Sequence, residues 1–367
     1  MKLNCLKNYL KEAISITERI GGKNINLPIL NNTLIFTENN KLKLRSTNLE
    51  IGIEIDIPAK IEKNGKVAIP SNIIYNFLSS FSGDENIYLE SVNNNLSIST
   101  VNTSILIKGQ PTNDFPNLPV VKNKKSISFK AQDLLSGLRS VFYSASFSNI
   151  KPEISSVYIY TDKKNQLTFI ATDSFRLAEK KLPYKFLDFP KIIIPYKNVL
   201  EISRIFENKE GKIDLIFDNN QILFIYENIK IISRIIDGIF PDYNQIIPDK
   251  FVTDVVLDKK NLTNILKTAS VFSNRLNELN IIIEPKNKFI TIQTSNSDTG
   301  EYVTKIPANI TGEEIKMVFN YKYIQDSLPF FSSEKIILRF SGEGKPLLIR
   351  GIDDNSFLYL VMPMNSV

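Results

Sequence analysis

Two pairs of an acidic and a hydroxyl residue are the first candidates for chemistry in this sequence. Asp173-Ser174 lies within the stretch ATDSFRLA, and Asp298-Thr299 follows 125 residues later. Aspartic proteases pair two carboxylates that share one proton, each held in an Asp-Thr/Ser-Gly loop. Here Phe175 replaces the glycine of the first loop, and Asp298 follows polar residues instead of an apolar strand. The first pair is therefore interpreted as a turn between two strands, and a protease is disfavoured.

The composition removes most other catalytic chemistry. The 367 residues include no histidine and one cysteine, Cys5. This excludes Ser-His-Asp and Cys-His nucleophiles, a structural cysteine zinc site and an internal disulfide framework. Neither the G-x-x-x-x-G-K-S/T nor the G-x-G-x-x-G phosphate-binding motif occurs. Carboxylate catalysis remains open, so a metal-assisted hydrolase or protease is an alternative function, but we expect no cofactor and no metal site.

Charge and hydropathy predict a globular cytoplasmic protein. The chain carries 45 Lys and Arg against 39 Asp and Glu, a mild positive balance that is compatible with a nucleic-acid partner. Apolar residues make up 43% of the chain, enough to form real cores. No apolar run approaches the ~20 residues of a membrane span, and the N-terminal residues do not resemble a signal peptide. A single cysteine is typical of a reducing compartment, so we expect cytoplasmic localisation and no membrane partner.

The strands and helices that would position the Asp-Ser and Asp-Thr pairs belong to a pattern that occurs three times along the chain. Apolar strands joined by a polar turn and closed by proline recur at 44–58, 169–183 and 292–307. A strand, a break and a short amphipathic helix recur at 66–81, 191–206 and 316–331. The breaks are Pro70, Pro195 and Asn320. Amphipathic helices are predicted near the start of each copy, at 6–20, 131–146 and 258–274.

Each copy therefore reads as strand, helix, several strands, helix and several strands, which predicts an α+β class. The motif Phe-Pro followed by Asn or Asp recurs in two Pro-rich linkers, at Phe115 and Phe240. The predicted domains are 1–122, 123–248 and 249–367.

Four stretches along the whole chain resemble one family. They are LPILNNTLI (27–35), ATDSFRLA (171–178), FPDYNQIIP (240–248) and YLVMPMNSV (359–367). With the threefold repeat, they resemble the bacterial DNA polymerase III beta subunit family, the sliding clamps. The resemblance implies three tandem DNA-clamp domains, each with two helices packed on antiparallel sheets, in a head-to-tail homodimeric ring around double-stranded DNA. Such a ring tethers DNA polymerase and other replication and repair proteins without chemistry of its own, so the protein is not expected to be an enzyme.

The resemblance also implies an apolar groove that binds short linear motifs of the polymerase, the clamp loader and repair proteins. Apolar clefts with flexible methionines suit the recognition of varied peptides. A tail that is merely a buried edge strand is the alternative. Ser174, Phe175 and Asn365 stand where the family usually has Gly, His and Arg. The residues that match the groove positions of the family are Ile154, Thr172, Ser174, Phe175, Arg176, Leu177, Pro241, Ile246, Pro346, Leu360, Met362, Pro363 and Met364.

DNA contacts and a ring interface follow from the same resemblance. A clamp that slides contacts phosphates without reading bases. Asn72 and Gln245 stand where the family often has Arg. The implied DNA contacts are Lys23, Lys151, Lys197 and Arg204. Further basic residues on the predicted helices are Lys7, Lys11, Arg139, Lys259, Lys260 and Lys267. The implied interface residues are Ile105 and Ile107 of one copy, packing on Val271 and Phe272 of the other. A monomeric repeat scaffold without DNA is a further alternative.

Overall fold

The computed structural model describes residues 1–21, 26–80, 86–122, 125–148, 150–184 and 189–364. They form two compact units, and each unit combines two stretches of sequence. The first unit contains residues 1–134 and 200–237, and the second contains 135–199 and 238–367. None of the helices in the described ranges is long and apolar enough to cross a membrane.

Short helices recur at the predicted places. The α-helices are α1 Lys7–Ile20, α2 Ser71–Ser79, α3 Ala131–Val141, α4 Tyr196–Ile205, α5 Lys259–Ala269 and α6 Tyr321–Ser327. One-turn 3-10 helices continue three of them, at Phe142–Ser144, Ser270–Phe272 and Leu328–Phe330. The expected helices to 146 and 274 are therefore too long, because the chain tightens into a 3-10 turn after Val141 and Ala269.

Antiparallel strands make up most of the rest. Those before residue 123 are β1 Lys2–Leu6, β2 Asn32–Glu38, β3 Lys41–Thr47, β4 Ile51–Ile57, β5 Lys60–Lys63, β6 Lys66–Pro70, β7 Asn86–Val92, β8 Asn95–Ser99 and β9 Ser104–Ile107. Those from 123 to 248 are β10 Ser126–Lys130, β11 Ser156–Thr161, β12 Leu167–Thr172, β13 Arg176–Leu182, β14 Ile192–Pro195, β15 Lys212–Phe217, β16 Gln221–Tyr226 and β17 Ile229–Arg234. The remaining strands are β18 Thr253–Asp258, β19 Glu278–Glu284, β20 Phe289–Asn296, β21 Gly300–Pro307, β22 Asn309–Gly312, β23 Ile315–Asn320, β24 Lys335–Phe340, β25 Leu347–Gly351 and β26 Phe357–Val361.

Strand-to-helix junctions fall where the breaks were predicted. Pro70, Pro195 and Asn320 each end a strand, and a helix begins at the next residue. Asn320 caps α6, because its side chain accepts a hydrogen bond from the Lys322 N–H at 3.0 Å. Asp258 caps α5 in the same way through the Asn261 N–H at 2.7 Å. The breaks are therefore confirmed as helix starts.

The first unit contains a five-stranded and an eight-stranded sheet. Their strand orders are β5-β1-β7-β8-β9 and β10-β15-β16-β17-β4-β3-β2-β6. Helix α1 packs on α2, β3 and β4 through its buried stripe of Leu10, Ala13, Ile14 and Ile20. The eight-stranded sheet joins strands of two sequence repeats, because β17 pairs with β4 and places Ile231 opposite Ile53.

The second unit contains a nine-stranded and a four-stranded sheet. Their strand orders are β14-β11-β12-β13-β26-β25-β24-β18-β22 and β21-β20-β19-β23. Here too one sheet joins two repeats, because β13 pairs with β26. The two compact units therefore divide the middle repeat between them. The domain limits at 122 and 248 describe the sequence repeat and stay a prediction.

Candidate functional site

The turn between β12 and β13 contains the Asp-Ser pair. The Asp173 carboxylate accepts backbone hydrogen bonds from Phe175 and Arg176, both at 2.9 Å. The Thr172 hydroxyl donates to the Arg176 carbonyl at 2.7 Å. Ser174 has a φ of 76°, in the left-handed region that favours glycine. The pair is therefore a hydrogen-bonded turn, as predicted, and its carboxylate is occupied by the backbone.

The buried Arg176 side chain holds this turn in place through an ion pair and ring contacts. Its side chain is 6% exposed, and its Nε donates to Asp173 Oδ2 at 2.9 Å. Its Nη1 donates to Asp326 Oδ2 on α6 at 2.8 Å. The guanidinium lies over the Tyr323 ring at 4.5 Å and the Tyr143 ring at 5.7 Å. Arg176 therefore joins the hairpin to two other elements, and it offers almost no surface to a ligand.

The C-terminal strand lies beside this hairpin. Leu177 is the register partner of Leu360, and Arg176 that of Val361. The Met362 N–H then donates to the Phe175 carbonyl at 2.8 Å, so the pairing continues to the turn. The Met364 N–H donates to the Val318 carbonyl at 2.8 Å. Backbone hydrogen bonds therefore hold the tail through Met364 against both the hairpin turn and strand β23, while the peptide groove stays a prediction.

The predicted groove residues divide into buried and accessible side chains. Thr172, Arg176, Leu177 and Leu360 are all buried, and the two leucines have 0% and 1% of their surface exposed. Phe175 is 61% exposed and Ile246 is 44% exposed. Further predicted residues with accessible surface are Ile154, Ser174, Pro241, Pro346, Met362, Pro363 and Met364. The buried members therefore offer almost no surface to a ligand. The exposed members are those that could contact one. Asn365 lies outside the described residues.

The linker that carries Pro241 and Ile246 is held on the sheet beside the hairpin. The Tyr243 hydroxyl donates to the Glu179 carboxylate on β13 at 2.7 Å. The Tyr160 hydroxyl oxygen lies 2.8 Å from the Tyr243 hydroxyl oxygen. Burial and then the Glu179 charge raise the pKa of Tyr243, which keeps its hydroxyl protonated as a donor. Phe240 stacks on Tyr158 at 4.9 Å. These contacts, which no sequence motif predicted, position the linker.

Strand β9 lies at one end of its sheet. In the part of the chain that the structure describes, it pairs with β8 alone. Ile105 is half-buried, but Ile107 is only 4% exposed and packs in its own domain. Leu106, on the opposite face, is 55% exposed. Ile107 therefore has almost no exposed surface for the expected contact with another copy. Because side chains alternate between the two faces of a strand, the sequence could have indicated that Leu106 lies on the exposed face.

Strand β21 is the end strand of the four-stranded sheet. The turn Ser270–Phe272 lies beside it, because the Phe272 ring stacks on Tyr302 at 6.1 Å. Val271 is 62% exposed in this turn, and Val303 on β21 is 52% exposed. Val271 and Phe272 therefore lie beside an open sheet edge with apolar side chains.

The predicted basic residues differ in accessibility. Lys197 and Arg204 are exposed and lie seven residues apart on α4, which places them two turns apart on one side of the helix. Lys151 is exposed in the loop before β11, and Lys23 lies outside the described residues. Lys260 and Lys267 are exposed on α5. Asn72 and Gln245 are exposed as well.

Some of the predicted helix cations are buried or already paired within the chain. Lys7, the first residue of α1, is 2% exposed, whereas the next two residues of the helix are exposed. The Lys259 ammonium donates to the Phe331 carbonyl at 2.6 Å. Arg204 is paired with Glu201 at 2.8 Å on the same helix, at an exposed position where such a pair is weak. The expectation that Lys7 faces a ligand is wrong.

Comparison with known proteins agrees with this architecture over the whole chain. Residues 1–119, 129–242 and 244–365 match the family models described as the N-terminal, central and C-terminal domains of the DNA polymerase III beta subunit. The chain belongs to the DNA polymerase III beta subunit family. The beta sliding clamp of Synechococcus elongatus is 26% identical, covering 99% of each chain, and that of Streptococcus pneumoniae is 27% identical, covering 98% of each. A solved Pseudomonas aeruginosa beta subunit has a TM-score of 0.93 at 20% identity, covering 100% of both chains.

Family membership decides between the functions that the sequence left open. A DNA polymerase III beta subunit is a DNA sliding clamp, the non-catalytic subunit that tethers the polymerase during DNA replication. The three clamp domains and the α+β class are confirmed. The hydrolase alternative and the scaffold without DNA are therefore wrong. Among the described residues, no group of three or more His, Cys, Asp or Glu could hold a metal ion.

Proposed function

We propose that this beta subunit forms a head-to-tail homodimeric ring around duplex DNA and binds short linear motifs of its partners at the hairpin and tail. The observation that carries the groove is the hydrogen bond from the Met362 N–H to the Phe175 carbonyl. It continues the β13–β26 pairing and brings the exposed Phe175 beside the methionines of the tail.

The chemistry of this surface suits an apolar peptide anchor. Leu177 and Leu360 are buried register partners, and Phe175, Met362 and Met364 beyond them keep accessible surface. Methionine side chains adapt to different partners, and a large aromatic ring offers apolar area at low entropic cost. The partners bound through such motifs are the polymerase, the clamp loader and repair proteins.

Fluorescence polarisation with a polymerase-tail peptide tests the groove. Deleting residues 362–367 should abolish binding and leave the dimer intact. Met362→Ala should weaken binding by about 1–3 kcal/mol, the usual cost of truncating an interface anchor. Val101→Ala is the matched control, because Val101 is 91% exposed and lies in the other compact unit. Unchanged peptide affinity in the deletion variant would refute the groove.

The proposed ring closes by pairing of the two sheet edges between copies. Strands β9 and β21 each end a sheet, and an open edge is a template for another strand. Exposed Val271 and half-buried Phe272 offer apolar surface next to β21, and half-buried Ile105 offers it on β9. Sedimentation should give twice the chain mass of 41.8 kDa. Phe272→Ala should raise the monomer fraction, whereas a monomeric wild type at micromolar concentration would refute ring closure.

Encirclement is distinguished from adhesion by the topology of the DNA. Contacts from cations such as Lys151, Lys197 and Arg204 weaken as salt rises, whatever the shape of the DNA. A closed ring is also held topologically, which salt cannot screen. Loaded on nicked circular DNA, the protein should survive gel filtration in high salt, and one cut that linearises the DNA should release it. Equal retention on linear and circular DNA would refute the ring.

A further inference from the structure

A cavity of about 630 Å³ opens at the end of the nine-stranded sheet that is remote from the Asp173 turn. The turn between β11 and β12 contributes Lys164 and Gln166, and the end of β13 contributes Lys181. Arg350 is the penultimate residue of β25, and Asn355 and Ser356 precede β26. Because β12 runs from this turn to the Asp173 turn, the cavity and the proposed groove lie at opposite ends of the same strands.

The lining is positively charged and rich in hydrogen-bond donors. Lys164, Lys181 and Arg350 are its three charged residues, and the remaining described lining residues include no Asp or Glu. Two side-chain amides and the Ser356 hydroxyl add neutral polar groups. Three described acids lie beside the lining. Asp162 accepts from the Lys164 and Gln166 N–H groups, and Asp354 accepts from the Ser356 N–H. Glu179 pairs with the Lys181 ammonium at 3.0 Å and accepts from the Tyr243 hydroxyl.

Arg350 lacks the acceptor that its position requires. Its Nε is buried, and no hydrogen-bond partner for it exists among the described residues. A buried guanidinium N–H without an acceptor is costly, so it points to a group that completes the site. Burial lowers the pKa of Arg350, Glu179 raises it in part, and the Arg339 charge lowers it again. Burial also lowers the pKa of the neighbouring Lys180.

We propose that this cavity binds a phosphate-type oxyanion, with Arg350 and Lys164 as its main charged ligands and the Glu179-paired Lys181 beside them. A planar guanidinium donates two parallel hydrogen bonds to one phosphate, and ammonium groups neutralise the remaining oxygens. Because Lys181 is paired with Glu179, Arg350 and Lys164 supply most of the charge for the anion, which suits a doubly charged phosphate group. The volume of about 630 Å³ leaves room for a diphosphate or for a phosphate attached to a larger group.

Isothermal titration calorimetry of the full-length chain with inorganic pyrophosphate tests the site. We expect one saturable site per chain. Arg350→Gln should weaken binding about tenfold, since it removes a hydrogen bond between two charged groups. Lys164→Gln should weaken it about threefold or more. Lys163→Gln is the matched control, because Lys163 is the exposed neighbour in the same turn and does not line the cavity.

Further arms identify the source of the anion and separate this site from the DNA surface. A 5′-phosphorylated single-stranded oligonucleotide that binds more tightly than its 5′-hydroxyl form, in an Arg350-dependent manner, assigns the site to a nucleic-acid end. Binding of pyrophosphate alone assigns it to a free diphosphate. Lys197→Gln should leave pyrophosphate affinity unchanged, which would show that this site is distinct from the proposed DNA contacts.

Two results would overturn the proposal. One is the absence of saturable pyrophosphate binding by the wild type. The other is equal affinity in wild type, Lys164→Gln and the double variant Lys164→Gln/Lys181→Gln. These lysine variants decide the matter even if Arg350→Gln fails to fold, because Lys164 is exposed and its replacement leaves the core intact.

Discussion

Replacing Arg176 with methionine tests whether a buried ion pair holds the β12–β13 hairpin in place. Methionine keeps the apolar stem and removes the guanidinium. The substitution leaves the Asp173 carboxylate without its charged partner, while the backbone hydrogen bonds to its Oδ1 remain. Because the Asp173 side chain is only 13% exposed, water replaces the lost partner poorly.

The expected loss follows from the burial of each partner. Removing one member of a buried pair costs about 3–5 kcal/mol. Asp326 is 47% exposed, so its pair with Arg176 contributes at most about 1 kcal/mol. We therefore expect Arg176→Met to lower the free energy of unfolding by about 4 kcal/mol, and Asp326→Asn by less than about 1 kcal/mol. Asp173→Asn should fall between them, because the amide oxygen still accepts from the backbone.

Urea unfolding followed by circular dichroism gives the three free energies, and amide hydrogen exchange of β12, β13 and β26 shows where the loss occurs. The faster exchange should be concentrated in these strands, since β13 pairs with both of the others. A loss below about 1 kcal/mol for Arg176→Met would refute the reasoning. So would an Asp326→Asn variant that is as unstable as Arg176→Met, because the buried pair would then not be the cause.

Three further predictions concern single residues. Burial raises the pKa of Glu54, but hydrogen bonds and charges from Arg45 and Lys43 lower it overall. The stabilisation of the fold by the Glu54 carboxylate is therefore complete above the pKa of this group in the unfolded chain, and it is lost as pH falls through the lower pKa in the folded chain. In acid, the urea midpoint of the wild type should therefore fall more than the urea midpoint of Glu54→Gln. Burial raises the pKa of Cys5 to about 12, so a disulfide reagent at neutral pH should label it only in urea. Ser174→Gly should raise the free energy of unfolding by about 0.5–1 kcal/mol, measured by urea titration, because glycine adopts φ 76° without strain.

The sequence predicted local structure well where short-range rules operate. Pro70 and Pro195 end their strands directly before a helix because a proline fixes its own φ and donates no backbone hydrogen bond. Asp173 forms a turn because a short carboxylate accepts hydrogen bonds from the next backbone amides. The helix ends were less predictable. The apolar stripe continues past Val141, while the backbone changes to a 3-10 turn there.

The candidate site was predictable only in part. The hairpin and tail residues were found through their resemblance to a family, and the structure brings Phe175 and Met362 together. Which of them are accessible could not be read from the sequence, since Leu177 and Phe175 are both apolar and only one is exposed. Lys7 shows the same limit, because a charged residue in a helix is usually solvated and this one is buried.

The sequence by itself determined the threefold repeat, the α+β class, the placement of the helices and the family. These features depend on the order of residues within a few turns or strands, or on short motifs that can be recognised in the sequence itself. Only the tertiary structure decided that β17 pairs with β4 and β13 with β26, so that two repeats share each of the large sheets. It also decided that Arg350 meets Lys164 and Lys181 around one cavity. Edge pairing is made by backbone groups that every residue carries, and a cavity is formed by residues far apart in the chain, so neither has a local sequence pattern to reveal it.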